Sequence, residues 1–274
     1  MSGFEIAVQG IGLLGPGLPS WAVGQRVLRA EESCAMTPAV LAPPPRLPPA
    51  ERRRAGPSIR LAMAVADEAV AQAGVDPEHL ATVFASSGGE GSNCHILCET
   101  LVGADRHISP TRFTNSVHNA AAGYWHIAVA SQAASTSLSA YDGSFAAGLV
   151  EAAIQVQASH AAVLLVACDV PYPEPLHSLR RLTHHFGLAL LLAPVDAGRA
   201  VARLSIELAE AARADPHSRC ANAELDALRC SVPAAAALPL LEAIANGAGR
   251  RALVLDYLPA LRLRVTVCTQ ARPS

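Results

Sequence analysis

Residues 109–157 read SPTRFTNSVHNAAAGYWHIAVASQAASTSLSAYDGSFAAGLVEAAIQVQ. The pattern predicts a helix of small residues at 115–130, a short strand at 136–140, a tight polar turn at 141–144 and then an Ala-rich helix. A strand that turns sharply into a helix presents a side chain to the helix N-terminus, where backbone N–H groups and the helix dipole favour an anion. Enzymes use such a turn to hold a nucleophile. Here the turn offers Asp142.

Composition places the chain among globular proteins. It has 274 residues, of which 51% are hydrophobic and 16% charged, and its net charge is −2. A weakly acidic balance argues against nucleic acid as the main partner, because phosphate recognition needs a basic surface. The 21 basic residues other than His are all Arg. The sequence therefore offers no lysine for catalysis.

Cysteine usage and hydropathy bear on the compartment. The seven cysteines are scattered and odd in number, and the N-terminus has an acidic residue where a secretory leader needs basic ones. No apolar run reaches the roughly 18 residues of a spanning helix. We therefore expect a reduced, cytoplasmic protein with free thiols and no membrane partner.

Strands and helices alternate along the first two thirds of the chain, which favours an α/β layered sheet. A helix is expected at 58–74, with Ser58 as N-cap and Gly74 as the C-terminal glycine. Residues 38–49 carry six prolines and predict a surface loop. Residues 211–250 are read as loop and one helix at about 234–246. Strands are expected at 4–14, 81–87, 160–169, 186–194 and 201–210, with a final pair at 252–257 and 261–267.

Several motifs have an ordinary structural interpretation beside a functional one. Asp142 is expected mainly to cap the following helix. Ser144 lacks the flanking glycines of a hydrolase elbow. The loop at 88–91 lacks the Gly-Lys-Ser/Thr end of a phosphate loop and predicts a tight turn. The Arg52–Arg54 run is expected to be a solvated face, with an acidic carrier protein as the alternative.

Two groups of residues could suggest a metal site. They are Cys94, His95 and Cys98 on one predicted helix, and the neighbours His184 and His185. Two thiols at i, i+4 supply half a site, and no second pair follows. We therefore expect no metal and no cofactor.

The chain resembles the β-ketoacyl synthases of the thiolase-like superfamily. The similarity is carried by LPPAERRRAG (47–56), FASSGGEG (84–91), SPTRFTNSVHNAAAG (109–123), SLSAYDGSFAAGLVEAA (137–153) and VLLVACD (163–169). More narrowly, it is similar to the short chain-length factors of aryl polyene clusters. The resemblance implies a thiolase-like, layered α/β/α fold in one domain, residues 1–274. It is strongest over 1–195, the N-terminal ketosynthase half, and leaves 196–274 as a reduced C-terminal part.

The resemblance also implies that the catalytic groups are missing. The family's nucleophilic Cys lies at the strand-to-helix elbow, and counting back from the helix places Asp142 there. The two His motifs of the C-terminal half and the supporting Lys do not occur. We therefore expect a non-catalytic chain-length factor that pairs with an active ketosynthase in carrier-bound acyl or polyene synthesis. The alternatives are a stand-alone synthase or acyltransferase with an atypical nucleophile, and a purely structural subunit.

Partners follow from the same resemblance. An active ketosynthase is expected across a continuous sheet, and an acyl carrier protein is reached through the complex. Some association of the lone chain through the same edge is expected, and whether it forms a homodimer is left open. The helix at 115–130 would lie near the partner's acyl tunnel, with one of its two adjacent aromatics facing the core and the other a partner. The residues assigned to the tunnel or the interface are Phe113, His118, Asn119, Tyr124, Trp125, Tyr141, Asp142 and Ser144. The structural interpretation of His118 is a hydrogen-bonded interior residue that orients a loop, and that of Tyr124 and Trp125 is plain core or interface aromatics.

Overall fold

A single mixed sheet organises the chain. The computed structural model describes residues 3–211, 216–247 and 249–269. Its eight strands lie in the order β3-β2-β4-β5-β1-β6-β8-β7, with β2 parallel to β3 and β4 and the other pairs antiparallel. The strands are β1 Phe4–Leu14, β2 Ala81–Ala85, β3 Ser135–Leu138, β4 Val163–Asp169, β5 Phe186–Ala193, β6 Ala202–Glu210, β7 Arg250–Leu258 and β8 Leu261–Cys268.

Helices cover both faces of this sheet. They are α1 Trp21–Leu28, α2 Pro49–Arg54, α3 Pro57–Ala73, α4 Gly91–Val102, α5 Pro110–Thr114, α6 Ala120–Val129, α7 Ser144–Ser159, α8 Leu176–Leu179, α9 Ala223–Ser231 and α10 Leu238–Asn246. Short 3₁₀ turns lie at Pro77–His79, Tyr141–Gly143 and Pro233–Ala237. The layered α/β/α arrangement predicted from the sequence is therefore observed.

Two neighbouring inner strands, β4 and β5, are buried on both faces. In β5, Leu188 and Leu190 pack into the apolar cluster under α7 and α10, whereas Ala189 and Leu191 pack into the cluster under α3 and α6. Strand β4 alternates in the same way, and every residue of both strands is buried. Alternate side chains of a strand point to opposite faces, so a continuous apolar run supplies two cores at once.

A proline and a glycine mark the two ends of α3, which packs against β1. Pro57 occupies the first turn of α3, where its missing N–H costs nothing, and Gly74 ends the helix at φ +68°. The predicted N-cap at Ser58 is wrong, because Gly56 holds that position and Ser58 lies inside the helix. Helix and strand approach closely at Gly12, where a Cβ would lie 1.9 Å from the carbonyl oxygen of Val65.

The C-terminal part extends the same sheet. Strands β6, β8 and β7 continue it beyond β1, and β7 and β8 form the predicted final pair. The expectation of a single helix in 211–250 is wrong, because α9 precedes α10. Polar and Ala-rich residues obscured α9, which Asn222 caps by accepting from the N–H groups of Glu224 and Leu225. No helix in the described part is long and apolar enough to cross a membrane.

Candidate functional site

The elbow after β3 is a strained turn that leads directly into α7. Tyr141 has φ +53°, in the left-handed region that non-glycine residues rarely adopt. The Ser144 hydroxyl fixes the turn by donating to the Tyr141 carbonyl at 2.7 Å and accepting from the Ala140 N–H at 3.0 Å. Both hydrogen-bonding directions of this buried hydroxyl are therefore used by the backbone. Residues kept in such strained conformations cluster at functional sites.

Arg180 holds both side chains that the elbow presents. Its guanidinium carbon lies 3.5 Å from the centre of the Tyr141 ring, and its Nη2 donates to Asp142 at 2.8 Å. Asp142 is therefore an ion-pair partner. Its predicted role as a helix cap is wrong, because Gly143 holds the N-cap position of α7 and no side chain caps that end. The left-handed residue is Tyr141, one position before the aspartate.

The C-terminal hairpin closes over the elbow. A Cβ on Gly143 would lie 2.1 Å from the carbonyl oxygen of Tyr257 in β7, so only glycine fits this contact. Beside it opens a cavity of about 690 Å³, which is lined by the elbow, the segment around Arg180, the C-terminal end of α9 and the β7–β8 hairpin. Elements from the middle and from the C-terminal part of the sequence thus build one site.

Buried Asp169, at the end of β4, braces this region. Its Oδ1 accepts from the Ser87 N–H at 2.8 Å and from the hydroxyls of Ser87 and Ser86 at 2.7 and 3.3 Å. Its Oδ2 accepts from the Ala234 N–H at 2.8 Å. Burial raises the pKa of the Asp169 carboxyl, and these hydrogen bonds oppose the rise. One carboxyl thereby joins the loop after β2 to the 3₁₀ turn beside the elbow.

A thiol and a histidine also line the elbow cavity. Cys230 is exposed there and accepts from Nη2 of Arg229 at 3.2 Å. His217 Nδ1 lies 2.9 Å from Oδ1 of Asp256. These residues are far from Asp142 in the sequence, so the sequence did not indicate that they would share a cavity with it.

A second site lies where β3 forms one edge of the sheet. A groove of about 450 Å³ runs between α6 and β3 and includes His118, Asn119 and Ser137. His118 Nε2 lies 3.1 Å from the carbonyl oxygen of Ser86. Exposed apolar side chains lie in α6 and in the segment before it: Phe113, Val117 and Ile127 are 67%, 50% and 58% exposed.

Tyr124 and Trp125 both lie in the core. Tyr124 packs against Leu47 and Ile59 and donates to the Asn115 side chain at 3.1 Å. Trp125 is fully buried in the cluster between α3 and the sheet. Both are core aromatics, as one interpretation of the sequence expected. The further expectation that one of them faces a partner is wrong, because α6 is covered on two sides and positions about 100° apart are both enclosed.

The two groups of residues that could suggest a metal site do not form a ligand cluster in the described part of the chain. Within residues 3–211, 216–247 and 249–269, no three His, Cys, Asp or Glu side chains cluster as ligands. His95 lies 3.3 Å from Glu99, and His184 pairs with the hydroxyl of Thr183 at 2.8 Å. The predicted turn at 88–91 is a bend that leads into α4, and Gly91 is already the first residue of that helix.

The Arg run at 52–54 is not simply a solvated face. Arg52 donates to the carbonyls of Pro45 and Leu47 at 2.8 and 2.9 Å, and so orders the proline-rich loop, whereas Arg53 and Arg54 are exposed. The sequence alone predicts only solvent or a carrier protein as the environment of this run. The loop partners lie five to seven residues away and carry no side-chain motif, so they gave no signal.

One protein family and several solved structures match this chain. The family described as Beta-ketoacyl synthase, N-terminal domain, matches residues 25–243. No curated protein sequence gives a significant match. The solved structure of the ketosynthase ApeO in complex with its chain length factor ApeC, from Xenorhabdus doucetiae, is similar with a TM-score of 0.71 and 22% identity, over 96% of this chain and 99% of that one.

Two further structures show the same fold. The ishigamide ketosynthase/chain length factor has a TM-score of 0.73 and 14% identity, over 98% of this chain and 100% of its own. AntDE:AntF, a type II polyketide synthase acyl-carrier protein in complex with its ketosynthase bound to the hexaketide, has a TM-score of 0.74 and 10% identity, over 98% and 100%. At these identities the likeness concerns the fold, and it confirms the predicted thiolase-like architecture.

Proposed function

This chain belongs to the β-ketoacyl synthase family, and on that premise we propose that it is a non-catalytic subunit of chain-length-factor type. It pairs with an active ketosynthase and shapes the elongation of acyl or polyene chains carried by an acyl carrier protein. The observation that carries the proposal is the elbow, where Arg180 holds Tyr141 and Asp142 and no thiol is present in the turn.

The elbow chemistry does not suit acyl transfer. A thioester exchanges with a thiolate or an activated hydroxyl, whereas Asp142 is a carboxylate already paired with a guanidinium. A mixed anhydride at Asp142 would hydrolyse readily. Ser144 is adjacent, but its hydroxyl is buried and bonded in both directions to the turn. The fold of the nucleophile elbow is thus kept without a competent nucleophile.

The partner surface is the β3 edge together with the exposed face of α6. Strand β3 is short and polar, as edge strands are when they must not pair indiscriminately. An antiparallel strand from a ketosynthase of the same fold would continue the sheet there. The exposed side chains of Phe113, Val117 and Ile127 would be covered by this partner, which explains why apolar groups remain on the surface.

Chain length is set by what this subunit presents to the partner's acyl tunnel. Phe113, His118 and Asn119 are exposed, and the latter two line the groove against β3. We assign these three residues to that contact. Tyr124 and Trp125 contribute indirectly, because their packing in the core fixes the position of α6. We further infer that residues 1–274 form one domain of a cytoplasmic, bacterial protein. An aryl polyene is the product class that its sequence resemblance favours.

Co-expression tests the proposal. The full chain is produced with the ketosynthase encoded nearest to it, and size-exclusion chromatography with light scattering measures the assembly. A one-to-one complex is expected, and Phe113→Ala is expected to change product length when products are analysed by mass spectrometry. The matched control is Val40→Ala, which changes an 80% exposed aliphatic side chain in the proline-rich loop. Absence of a complex with any ketosynthase would refute the proposal.

A second candidate function has one observation in its favour. Cys230 and the His217–Asp256 pair line the same cavity as the elbow, so an acyl group could reach a thiol there. Incubation with an acyl carrier thioester, followed by intact mass spectrometry, tests this stand-alone acyltransferase. An adduct that disappears in Cys230→Ser would replace the non-catalytic proposal. An unmodified mass would leave the chain-length-factor proposal in place.

A further inference from the structure

The elbow cavity is lined by an unusual number of guanidinium groups. Five arginines contribute to its wall, together with the aspartates at 142 and 256. They come from three separate parts of the chain: Arg180, Arg181, Arg219, Arg229 and Arg262. No other residue type contributes as many side chains to this cavity wall. Arginine is the residue that proteins use most for bidentate recognition of phosphate and carboxylate.

Three of the five have carboxylate partners. Arg180 pairs with Asp142 at 2.8 Å, and Arg229 pairs with Asp226 at 2.7 Å. The Nε of Arg262 lies 3.8 Å from Asp256, a looser contact that Asp256 shares with His217. These pairs neutralise part of the wall and fix the geometry of its back, where the side chains of Arg180 and Arg229 are only 15% and 11% exposed.

The remaining two have no close carboxylate partner. Arg181 and Arg219 are exposed at the cavity, and neither forms a side-chain hydrogen bond or an ion pair at salt-bridge distance with another residue of the described ranges. Arg219 is still near enough to Asp226 to help lower the pKa of that carboxyl. The arginines of the wall therefore outnumber its aspartates, and two of them are exposed. Clefts that concentrate one sign of charge raise the local concentration of counter-ions and charged ligands.

From this arrangement we propose that the elbow cavity binds a small organic phosphate, with Arg181 and Arg219 as its principal ligands. A volume of about 690 Å³ is larger than an inorganic phosphate requires and lies within the range of small-molecule sites. The non-ionic part of the ligand would lie against Tyr257, Leu258 and Pro259 on the hairpin side of the wall. This site is separate from the β3 edge, so the inference holds whether or not the chain acts as a chain-length factor.

Isothermal titration calorimetry of the full chain with inorganic pyrophosphate at low ionic strength tests the site, with succinate as a dicarboxylate comparison. Saturable one-to-one binding of pyrophosphate is expected. Arg181→Gln with Arg219→Gln should weaken it at least tenfold. The matched control is Arg203→Gln with Arg250→Gln, which removes two exposed arginines from strands outside this cavity and should leave binding within twofold.

A variant of opposite sign separates binding from misfolding. Asp142→Asn removes a negative charge from the wall and frees Arg180, so it should tighten pyrophosphate binding severalfold. Binding that is absent, that prefers succinate, or that falls equally in the cavity and control variants would overturn the proposal. It would also be overturned if only an acidic carrier protein, and not pyrophosphate, bound in an Arg181- and Arg219-dependent manner.

Discussion

The guanidinium of Arg180 stacks on the ring of Tyr141, 3.5 Å from its centre, although the two residues are 39 positions apart. The same guanidinium donates to Asp142, so one cation fixes both side chains of a strained turn. A cation over an aromatic face contributes about 0.5–1 kcal/mol at an exposed site, and an exposed ion pair adds less than about 1 kcal/mol. Arg180 thus contacts both of the side chains that the elbow presents.

Replacing Arg180 should therefore have a small but measurable effect. Arg180→Ala is expected to lower the free energy of unfolding by about 1 kcal/mol, because it removes the stacking on Tyr141 and the pair with Asp142. Urea denaturation followed by circular dichroism measures this. Arg181→Ala, the exposed neighbour, should stay within about 0.5 kcal/mol of the parent. Equal losses in both variants would argue that Arg180 has no special role.

The contact between the elbow and β7 predicts a contrast between two glycines. Gly143→Ala should lower the free energy of unfolding by at least about 2 kcal/mol, because the new Cβ would lie 2.1 Å from the Tyr257 carbonyl oxygen and the backbone must shift. Gly123→Ala in α6 meets no atom within 4 Å and should stabilise by about 0.5–1 kcal/mol. Thermal and urea denaturation of the isolated chain distinguish them, and similar effects from both would contradict the close approach.

The buried carboxyl of Asp169 gives a third expectation. Asp169→Asn preserves shape but turns one acceptor into a donor, which then faces the N–H of either Ser87 or Ala234. A buried unsatisfied donor costs about 1–3 kcal/mol, and we expect a loss of that size in urea denaturation. Asp196→Asn on an exposed turn is the control and should change stability by less than about 0.5 kcal/mol. A neutral Asp169→Asn would show that the carboxyl is not a brace.

Thiol labelling tests burial across the sheet. Cys94, Cys98, Cys230 and Cys268 are exposed and should react promptly with a disulfide reagent at pH 8. Burial raises the pKa of the Cys220 thiol to about 12, and burial likewise raises that of Cys168, so both should stay protected until the protein is unfolded. Six or more thiols reacting together in the folded protein would contradict this core.

The proposed partner surface predicts which substitution breaks the complex. Ile127→Arg places a charge on the exposed face of α6 and should weaken association with the ketosynthase at least tenfold, since burying an unpaired charge is costly. Val40→Arg makes the same kind of change in the proline-rich loop and should leave affinity within twofold. Interferometry with surface-bound ketosynthase measures the affinity of both variants. Equal weakening would move the interface elsewhere.

Much of the sheet could be predicted from the sequence, because a strand that is buried on both faces has a continuous run of apolar residues. Strands β4 and β5 were predicted to within about three residues for this reason. Helix α9 was missed, because its stability comes from packing Leu225 and Leu228 beneath a polar surface. The assignment of Asp142 as a cap was a local inference, and a distant arginine overrode it.

The amino-acid sequence by itself determined the layered fold and the position of the elbow, since both depend on periodicity and on a turn between neighbours in the chain. It also excluded lysine from any mechanism. Only the tertiary structure decided what surrounds the elbow. Arg180 lies 38 positions from Asp142 in the sequence, and the β7–β8 hairpin is more distant still. They reach the elbow because antiparallel strands added to one sheet bring distant segments to the same end.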